Sequence, residues 1–488
     1  MNEPMQRDGD PGIEFTDQPR ARPRAPKLGD LPDKLPRRRR DTVVVETISV
    51  KLEVVTPILG GAARPRQIDK VDIIRVPTIR GHLRFWWRAL YGHDFVGDPR
   101  GLFRAESTLF GRAARDDVEE GRSRVDIRVQ MEDIAGLDQA DIQLYDRKDK
   151  QGRVITPETK GSYALWTAQS QKEDRWTNKP YVPPAPRRQP GSVFTLKLTA
   201  PADDVPVLRN VLRAWILFGG YGGRTRRGLG SLTYTGDKPE EWLPSGATRA
   251  EINARFEEID DIFAPRPAGN TALLSGATLL VEIPGQNAVN AWTTSLGWLK
   301  EFRQGTRSRA RETGRGNHPS ISNWPEADVL RSISTAPSHK GSLSKLVHKP
   351  RTEYTSGRAW PRADFGLPIN GRFQKKSEWR DQGLYEPDDF ALIWHDGTRP
   401  HDRLASPLVL KPMPLLGGHF AAVALWLNRR QPDGHVMVSG KPESAARFDE
   451  PFVTPQGVPG FIADAARGPL RDAFCNWLDS SKHLRRLA

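Results

Sequence analysis

Residues 219–230 read GGYGGRTRRGLG, six glycines and three arginines in twelve positions, directly after a run of helical periodicity. Glycine tolerates positive φ and lets a backbone come close to a ligand, and successive N–H groups in such turns form an anion-binding nest. Gly222 and Gly223 are candidate positions for that approach, and Arg224, Arg226 and Arg227 add planar charged donors that suit phosphate. A nucleotide P-loop is excluded: it needs GxxxxGK and then Ser or Thr, set between a strand and a helix. This loop lacks the lysine and follows a helix, and a dinucleotide fingerprint fails on the same context. The plain alternative is a helix terminator with a solvated basic tip.

Proton-transfer chemistry is harder to assemble. His82 stands between Arg80 and Arg84, but RNA cleavage needs a base, an acid and a cation, and no second proton-transfer group lies beside it in sequence. Asp69 and Asp72 read as a solvated turn next to a strand, VDIIRV. There is one cysteine, Cys475, and the ten histidines show no HExxH, so no catalytic residue, metal or cofactor is expected. Arg80, Arg84 and Arg88 recur every four residues on one helix face, which is either a solvated face or one that touches RNA or an acidic neighbour. Trp86 and Trp87 share an apolar stripe with Leu83 and Leu90 and read as core, whereas Trp324 and Trp360 sit in basic loops where a base could stack. Arg303, Arg307, Arg309, Arg311 and Arg315 face only Glu301 and Glu312 across fifteen residues, a composition able to clamp a phosphate backbone or to stay disordered.

The elements that must carry these residues follow from periodicity. TVVVETISVKLEVV is a strand, and it leads into the turn at Gly60 and Gly61. Thr78 caps a helix through IRGHLRFWWRALYG, with Ile79, Leu83, Trp86, Trp87 and Leu90 on its apolar stripe. SRVDIRVQ and FTLKLTA are strands flanking a polar stretch that contains YALWTAQ. Asp203 or Asp204 opens a second helix, VLRNVLRAWILF, and SLTYT is a short strand after the glycine-rich loop. The order is β-α-β-β-α-β, a ferredoxin-like unit with an insertion. A second unit starts near Ser275 with ATLLVEIPG, has a helix near 290–303 and strands FGLPI, ASPLVLKP and FAAVALWLN, and ends in a helix near 461–484. The fold class is α+β: two ferredoxin-like (RRM-like) domains with long loop insertions. The division is 1–41 as a disordered basic arm, 42–245 as the first domain with an insertion at about 131–190, 246–274 as a linker, and 275–488 as the second domain.

Composition narrows the partner. The chain has 488 residues, 37% hydrophobic and 27% charged, with 74 Lys plus Arg against 60 acids, a formal charge of +14. The first forty residues hold ten basic and seven acidic side chains, so most of the surplus lies on the folded part. That surplus favours a polyanion, because each neutralised phosphate releases counterions. No window approaches the ~18 apolar residues needed to cross a bilayer. The start, MNEPMQRDGDPGIEF, has no apolar signal core, so a cytoplasmic protein with no membrane contact is expected.

The ordered set TPILGGA, PTIRGHLRFWWRAL, ESTLFG and GGYGGRTRRGLGSL resembles the RAMP superfamily. GHLRFWWRAL, SNWPEADVLR, FGLPI and RLASPLVLKP are similar to the first-subunit family of Cmr (type III-B) CRISPR effector complexes. The resemblance implies RRM-like folds and a non-catalytic, RNA-binding subunit that caps the end holding the 3′ part of the guide RNA. It also implies as partners CRISPR guide RNA, target single-stranded RNA and other RAMP subunits of the complex. Gly60, Gly61, Arg64, Arg66, Arg80, Arg84, Arg88, Gly222, Gly223, Arg224, Arg226, Arg227, Arg307, Arg309, Arg311 and Arg315 are the RNA-binding candidates. The rival is a RAMP endoribonuclease that matures guide RNA with His82; a bland third reading is an assembly scaffold that meets only acidic protein.

Overall fold

The computed structural model describes residues 43–488 apart from 63, 65, 113–120, 172, 174–179, 283–284, 305–321, 335–342, 374–376 and 483. The basic arm and Arg307, Arg309, Arg311 and Arg315 lie outside the described residues. Residues 44–488 form one compact unit.

The first strand, Val45–Val54, turns Ile48, Val50, Leu52 and Val54 inward and the residues between them outward, the period of a half-buried strand. It lies in a four-stranded sheet in the order Asp126–Asp133, Val193–Pro201, Val45–Val54, Leu232–Tyr234. A second four-stranded sheet runs Leu408–Pro414, Phe420–Asn428, Leu273–Val281, Arg485–Arg486. Every pairing in both sheets is antiparallel. Numbered within its own half, each sheet has the order second, third, first, fourth.

The helices Val76–Tyr91 and Val205–Phe218 pack against each other and lie between the two sheets. One hydrophobic core therefore holds Val50 and Leu196 of the first sheet, Leu83 and Trp215 of the helices, and Val409, Val423 and Leu425 of the second sheet. The alternate residues Leu408, Leu410, Ala422, Ala424 and Trp426 enter a different core with the helices Ala288–Gln304 and Leu470–Lys482. The layers are sheet, helix pair, sheet, helices. This explains why Leu408–Pro414 and Phe420–Asn428 are buried at every position: both of their faces are covered. It also explains VLRNVLRAWILF, because eleven of the fourteen residues of that helix are buried.

Several expectations need correction. VDIIRV forms no strand; Asp69 Oδ1 accepts the N–H groups of Val71 (3.0 Å) and Asp72 (2.9 Å) in a tight turn. The first helix starts at Val76, before Thr78, with Pro77 in its first turn where a missing N–H costs nothing. FGLPI is no continuous strand: Pro361–Phe365 is a short 3-10 turn, Leu367 makes an isolated antiparallel bridge to Leu404, and only Ile369–Gly371 forms a strand. The terminal helix breaks at Gly468-Pro469 into Gly460–Arg467 and Leu470–Lys482, since proline cannot continue the ladder. A five-stranded sheet of Ile369–Gly371, Phe390–His395, Pro400–His401, His435–Val438 and Lys441–Ala446 was not legible in the periodicity of short, interrupted segments.

Lys411 lies in the apolar face that the second sheet turns toward the helix pair. It is fully buried, and its Nζ donates to Ile216 O (2.7 Å) and Gly219 O (2.9 Å), carbonyls at the end of the Val205–Phe218 helix. The last carbonyls of a helix have no partner within it, and the negative end of its dipole favours a cation there. Burial pushes the ammonium well below the ordinary lysine range. Lys411→Met keeps the stem and strands both carbonyls, so urea unfolding should show a loss of about 1–3 kcal/mol. A neutral or stabilising result would mean that the helix end does not need the donor.

Candidate nucleic-acid interface

The glycine-rich loop is built into the body of the protein. Tyr221 N–H donates to Gly230 O (2.8 Å), Gly223 N–H to Leu59 O (2.8 Å) and Gly230 N–H to Pro57 O (2.9 Å). These donors are therefore engaged by the chain itself, which removes the N–H of Gly223 from the expected anion nest. Gly228 (φ +73) leaves no room for a Cβ, which would lie 2.5 Å from Trp292 and 2.8 Å from Leu410 O. Trp292 Nε1 donates to Arg227 O at 2.7 Å and fixes the loop to the second half of the chain.

The three loop arginines divide. Arg226 donates to Ser406 O, and its guanidinium lies over the Phe85 ring at 5.3 Å. Arg227 reaches Phe365 O (3.3 Å) and Leu408 O (3.4 Å). Burial pushes Arg226 down to about 10 and Arg227 to about 9, both still cationic at neutral pH. The solvated basic tip is thus corrected: these two tie the loop to the strand Leu408–Pro414 and its approach. Arg224, in the left-handed region at φ +59, pairs with no carboxylate among the described residues.

The stripe on the first helix is engaged as well. Glu106, buried on the helix Pro99–Phe110, forms ion pairs with Arg84 and Arg88, each at 2.5 Å, and accepts a hydrogen bond from Arg88, while Arg84 donates to Gly111 O (2.5 Å) and Arg80 to Ser123 Oγ (2.6 Å). Arg84 and Arg88 therefore meet an acidic neighbour, whereas Arg80 meets a hydroxyl. Arg66 donates to the carbonyls of Thr167, Gln169 (2.8 Å) and Pro183 (2.7 Å). Gly60 (φ +76) and Gly61 (φ +113) have open space where a Cβ would point, and Arg64 is exposed, so this turn keeps an accessible surface. Trp324 and Trp360 are not in basic loops open to a base: both are buried, with Nε1 on Phe302 O (2.9 Å) and Ser444 O (2.9 Å).

Arg224, Arg226 and Arg227 line a cleft of about 950 Å³ between the two halves of the chain. Eight arginines and lysines line it against two glutamates, Glu326 and Glu386. Half of these cations are paired: Lys300 with Glu158 (2.8 Å), Arg331 with Glu386 (2.9 Å), Arg362 with Glu326 (3.0 Å) and Arg372 with Asp389 (3.0 Å). Arg226 and Arg227 bond carbonyls instead, and Arg224 and Arg303 pair with no carboxylate among the described residues. Gln304 and Ser322, which flank residues 305–321, also line the cleft. Lys300, Arg362, Arg372, Tyr145, Tyr163 and Trp166 in its walls were missed from sequence, because they come from segments far apart in the chain with no shared period.

His82 faces inward, stacked on Trp215 with ring centroids 6.0 Å apart, and burial pushes it down to about 4, neutral at physiological pH. Among the described residues no group of three or more His, Cys, Asp or Glu is placed to hold a metal ion. Arg227→Ala removes buried donors from two carbonyls, so thermal or urea unfolding should register a loss of about 1–3 kcal/mol. Arg64→Ala, at an exposed position, should stay within about 0.5 kcal/mol of the parent.

Residues 51–233 match the family model of the RAMP superfamily. The chain is 31% identical over 189 residues to the CRISPR system Cmr subunit Cmr1-1 of Pyrococcus furiosus, a match covering 38% of this chain and 47% of that protein. It is 26% identical over 185 residues to Cmr1-2 of the same organism, covering 37% of this chain and 91% of the relative. The chain thus spans less than half of the first relative's length and most of the second's. Among solved structures it is similar to apo Cmr1 from Pyrococcus furiosus, with a TM-score of 0.45 and 16% identity over 91% of this chain and 98% of that one. A chain of the type III-B Cmr-beta bound to cognate target RNA gives a TM-score of 0.38 at 12% identity, over 88% and 99%. The family match runs from the first strand to the last strand of the first sheet and includes the glycine-rich loop that closes onto the cleft; over these residues the chain is similar to the RAMP superfamily.

Proposed function

We propose that the chain is a non-catalytic, RNA-binding subunit of a type III-B (Cmr) CRISPR ribonucleoprotein in antiviral defence. It caps the end that holds the 3′ part of the guide RNA, contacts the target strand and docks against other RAMP subunits in the cytoplasm. The observation that carries this reading is the cleft: an excess of cations, of which Arg224 and Arg303 have neither a carboxylate nor a carbonyl partner among the described residues, in a groove lined by aromatic rings. Such a surface neutralises phosphates and positions a strand without any acid–base pair. The strand order second, third, first, fourth in each half supports two ferredoxin-like units, the frame expected of RRM-like RNA binders. The Cmr names of the relatives support the assembly. Among the described residues no helix is long and apolar enough to cross a membrane.

The endoribonuclease reading requires His82 to exchange protons with a 2′-hydroxyl. A buried ring held neutral against Trp215 does not favour that role.

Two measurements test the proposal. For Arg224→Ala with Arg303→Ala, the slope of log affinity for single-stranded RNA against log salt should flatten by about 1.4 units, ~0.7 for each phosphate no longer neutralised. An unchanged slope in a folded double variant would take the cleft out of the RNA path. Assembled complex carrying His82→Gln should cut target RNA at the parental rate; a drop of ~100-fold, the scale of a lost general acid or base, would overturn the non-catalytic assignment.

A further inference from the structure

Thirteen of the fourteen tryptophans are described; ten are buried, Trp379 and Trp394 are partly so, and Trp166 alone is exposed, at 49%. Trp166 lines the basic cleft beside Tyr163 and Thr167. An indole left half in water forgoes apolar burial that the same residue achieves elsewhere in this chain.

The backbone around it is firmly held. Gly161 enters the segment at φ +71, where a Cβ would lie 2.0 Å from the Trp292 ring. Leu165 and Ala168, on either side of Trp166, are buried in a small core with Trp292 and Leu296. Gln169 Nε2 donates to Trp166 O at 2.7 Å. Arg66 crosses from the other side and bonds the carbonyls of Thr167, Gln169 and Pro183, which follow the ring in sequence. It does so from φ +63, a conformation unfavourable for any residue with a Cβ. The result is a rigid mount for one exposed aromatic face, in a cleft that also offers cations without a carboxylate.

We propose that Trp166 is a stacking platform for an unpaired base of the RNA in the cleft, with Arg66 as its positioning residue. This rests on the RNA-binding reading and narrows its substrate class to single-stranded RNA. Every base has a π-face, so the platform is tolerant of sequence, and bases inside a duplex keep those faces covered. Phosphate binding at Arg224 and Arg303 responds to salt, whereas stacking on a neutral indole does not release counterions.

The test uses the full chain and a single-stranded RNA of about twelve nucleotides, with an all-abasic strand of the same length and a blunt duplex as controls. Trp166→Ala should weaken binding of the intact strand on the order of tenfold while leaving the salt slope unchanged. Trp166→Phe should recover most of the affinity and Trp166→Leu should not. Arg66→Ala should weaken binding in the same direction, again without a change of slope. The abasic strand should bind parent and Trp166→Ala equally, and the duplex should not distinguish them. If Trp166→Ala binds the intact strand as the parent does, with the parental salt slope, the platform is wrong and the RNA-binding proposal stands. The platform is equally wrong if the variant loses assembly with neighbouring subunits in the absence of RNA yet keeps its own RNA affinity. If the parent shows no salt-dependent RNA binding at all, the functional reading falls first and the platform with it.

Discussion

The end of the helix Val205–Phe218 has no access to bulk water, and its last carbonyls must be satisfied from inside the protein. The helix lies between two sheets, so its C-terminus points into a layer where a missing donor would cost the full desolvation of a peptide carbonyl. Lys411 answers from the facing sheet, donating to Ile216 and Gly219. The chain then has to leave the helix in a space with no room for side chains, and the glycines of 219–230 make that exit possible. Gly230 shows how tight it is: a Cβ there would lie 1.8 Å from Tyr221 O.

From this constraint follows the division among the arginines. Once the loop is pressed against the strand Leu408–Pro414, whichever guanidinium points inward must find carbonyls, and Ser406, Leu408 and Phe365 supply them for Arg226 and Arg227. Arg224 precedes them by a turn and stays on the cleft wall without a carboxylate. A buried arginine held by neutral carbonyls keeps its charge, as the values near 9 and 10 require, so the floor of the cleft remains positive even where no donor is free. Structure and electrostatics are thus served by the same side chains: the residues that join the two halves also set the sign of the groove between them.

The same economy governs the rest of the basic residues. Arg84 and Arg88 hold the helix Pro99–Phe110 through Glu106, and Arg66 holds the segment that carries Trp166. A net charge of +14 does not by itself measure a phosphate-binding surface, because some of the cations that make it up are held inside the fold by neutral carbonyls.

Periodicity and local chemistry carried the reading of the long elements. Val45–Val54, Val193–Pro201 and Val76–Tyr91 were legible because each has a sustained apolar period that one covered face requires, and Phe420–Asn428 and Val205–Phe218 because each is a nearly continuous apolar run covered on both sides. The glycine-rich loop was legible as a place of close backbone approach, since few other residues accept such φ values. What the sequence could not contain was the identity of each arginine's partner. A guanidinium is drawn equally to a phosphate, a carboxylate or a carbonyl, and the choice depends on which acceptor lies within about 3 Å. For Arg88 that acceptor is 18 positions away in the chain and for Arg226 it is 180. The tryptophans follow the same rule: Trp324 and Trp360 in basic sequence are buried, and Trp166 in an undistinguished polar stretch is exposed. Local sequence specifies the period of an element and the freedom of its backbone, whereas only the tertiary structure brings distant acceptors and rings to one place and so decides which charges remain for a ligand.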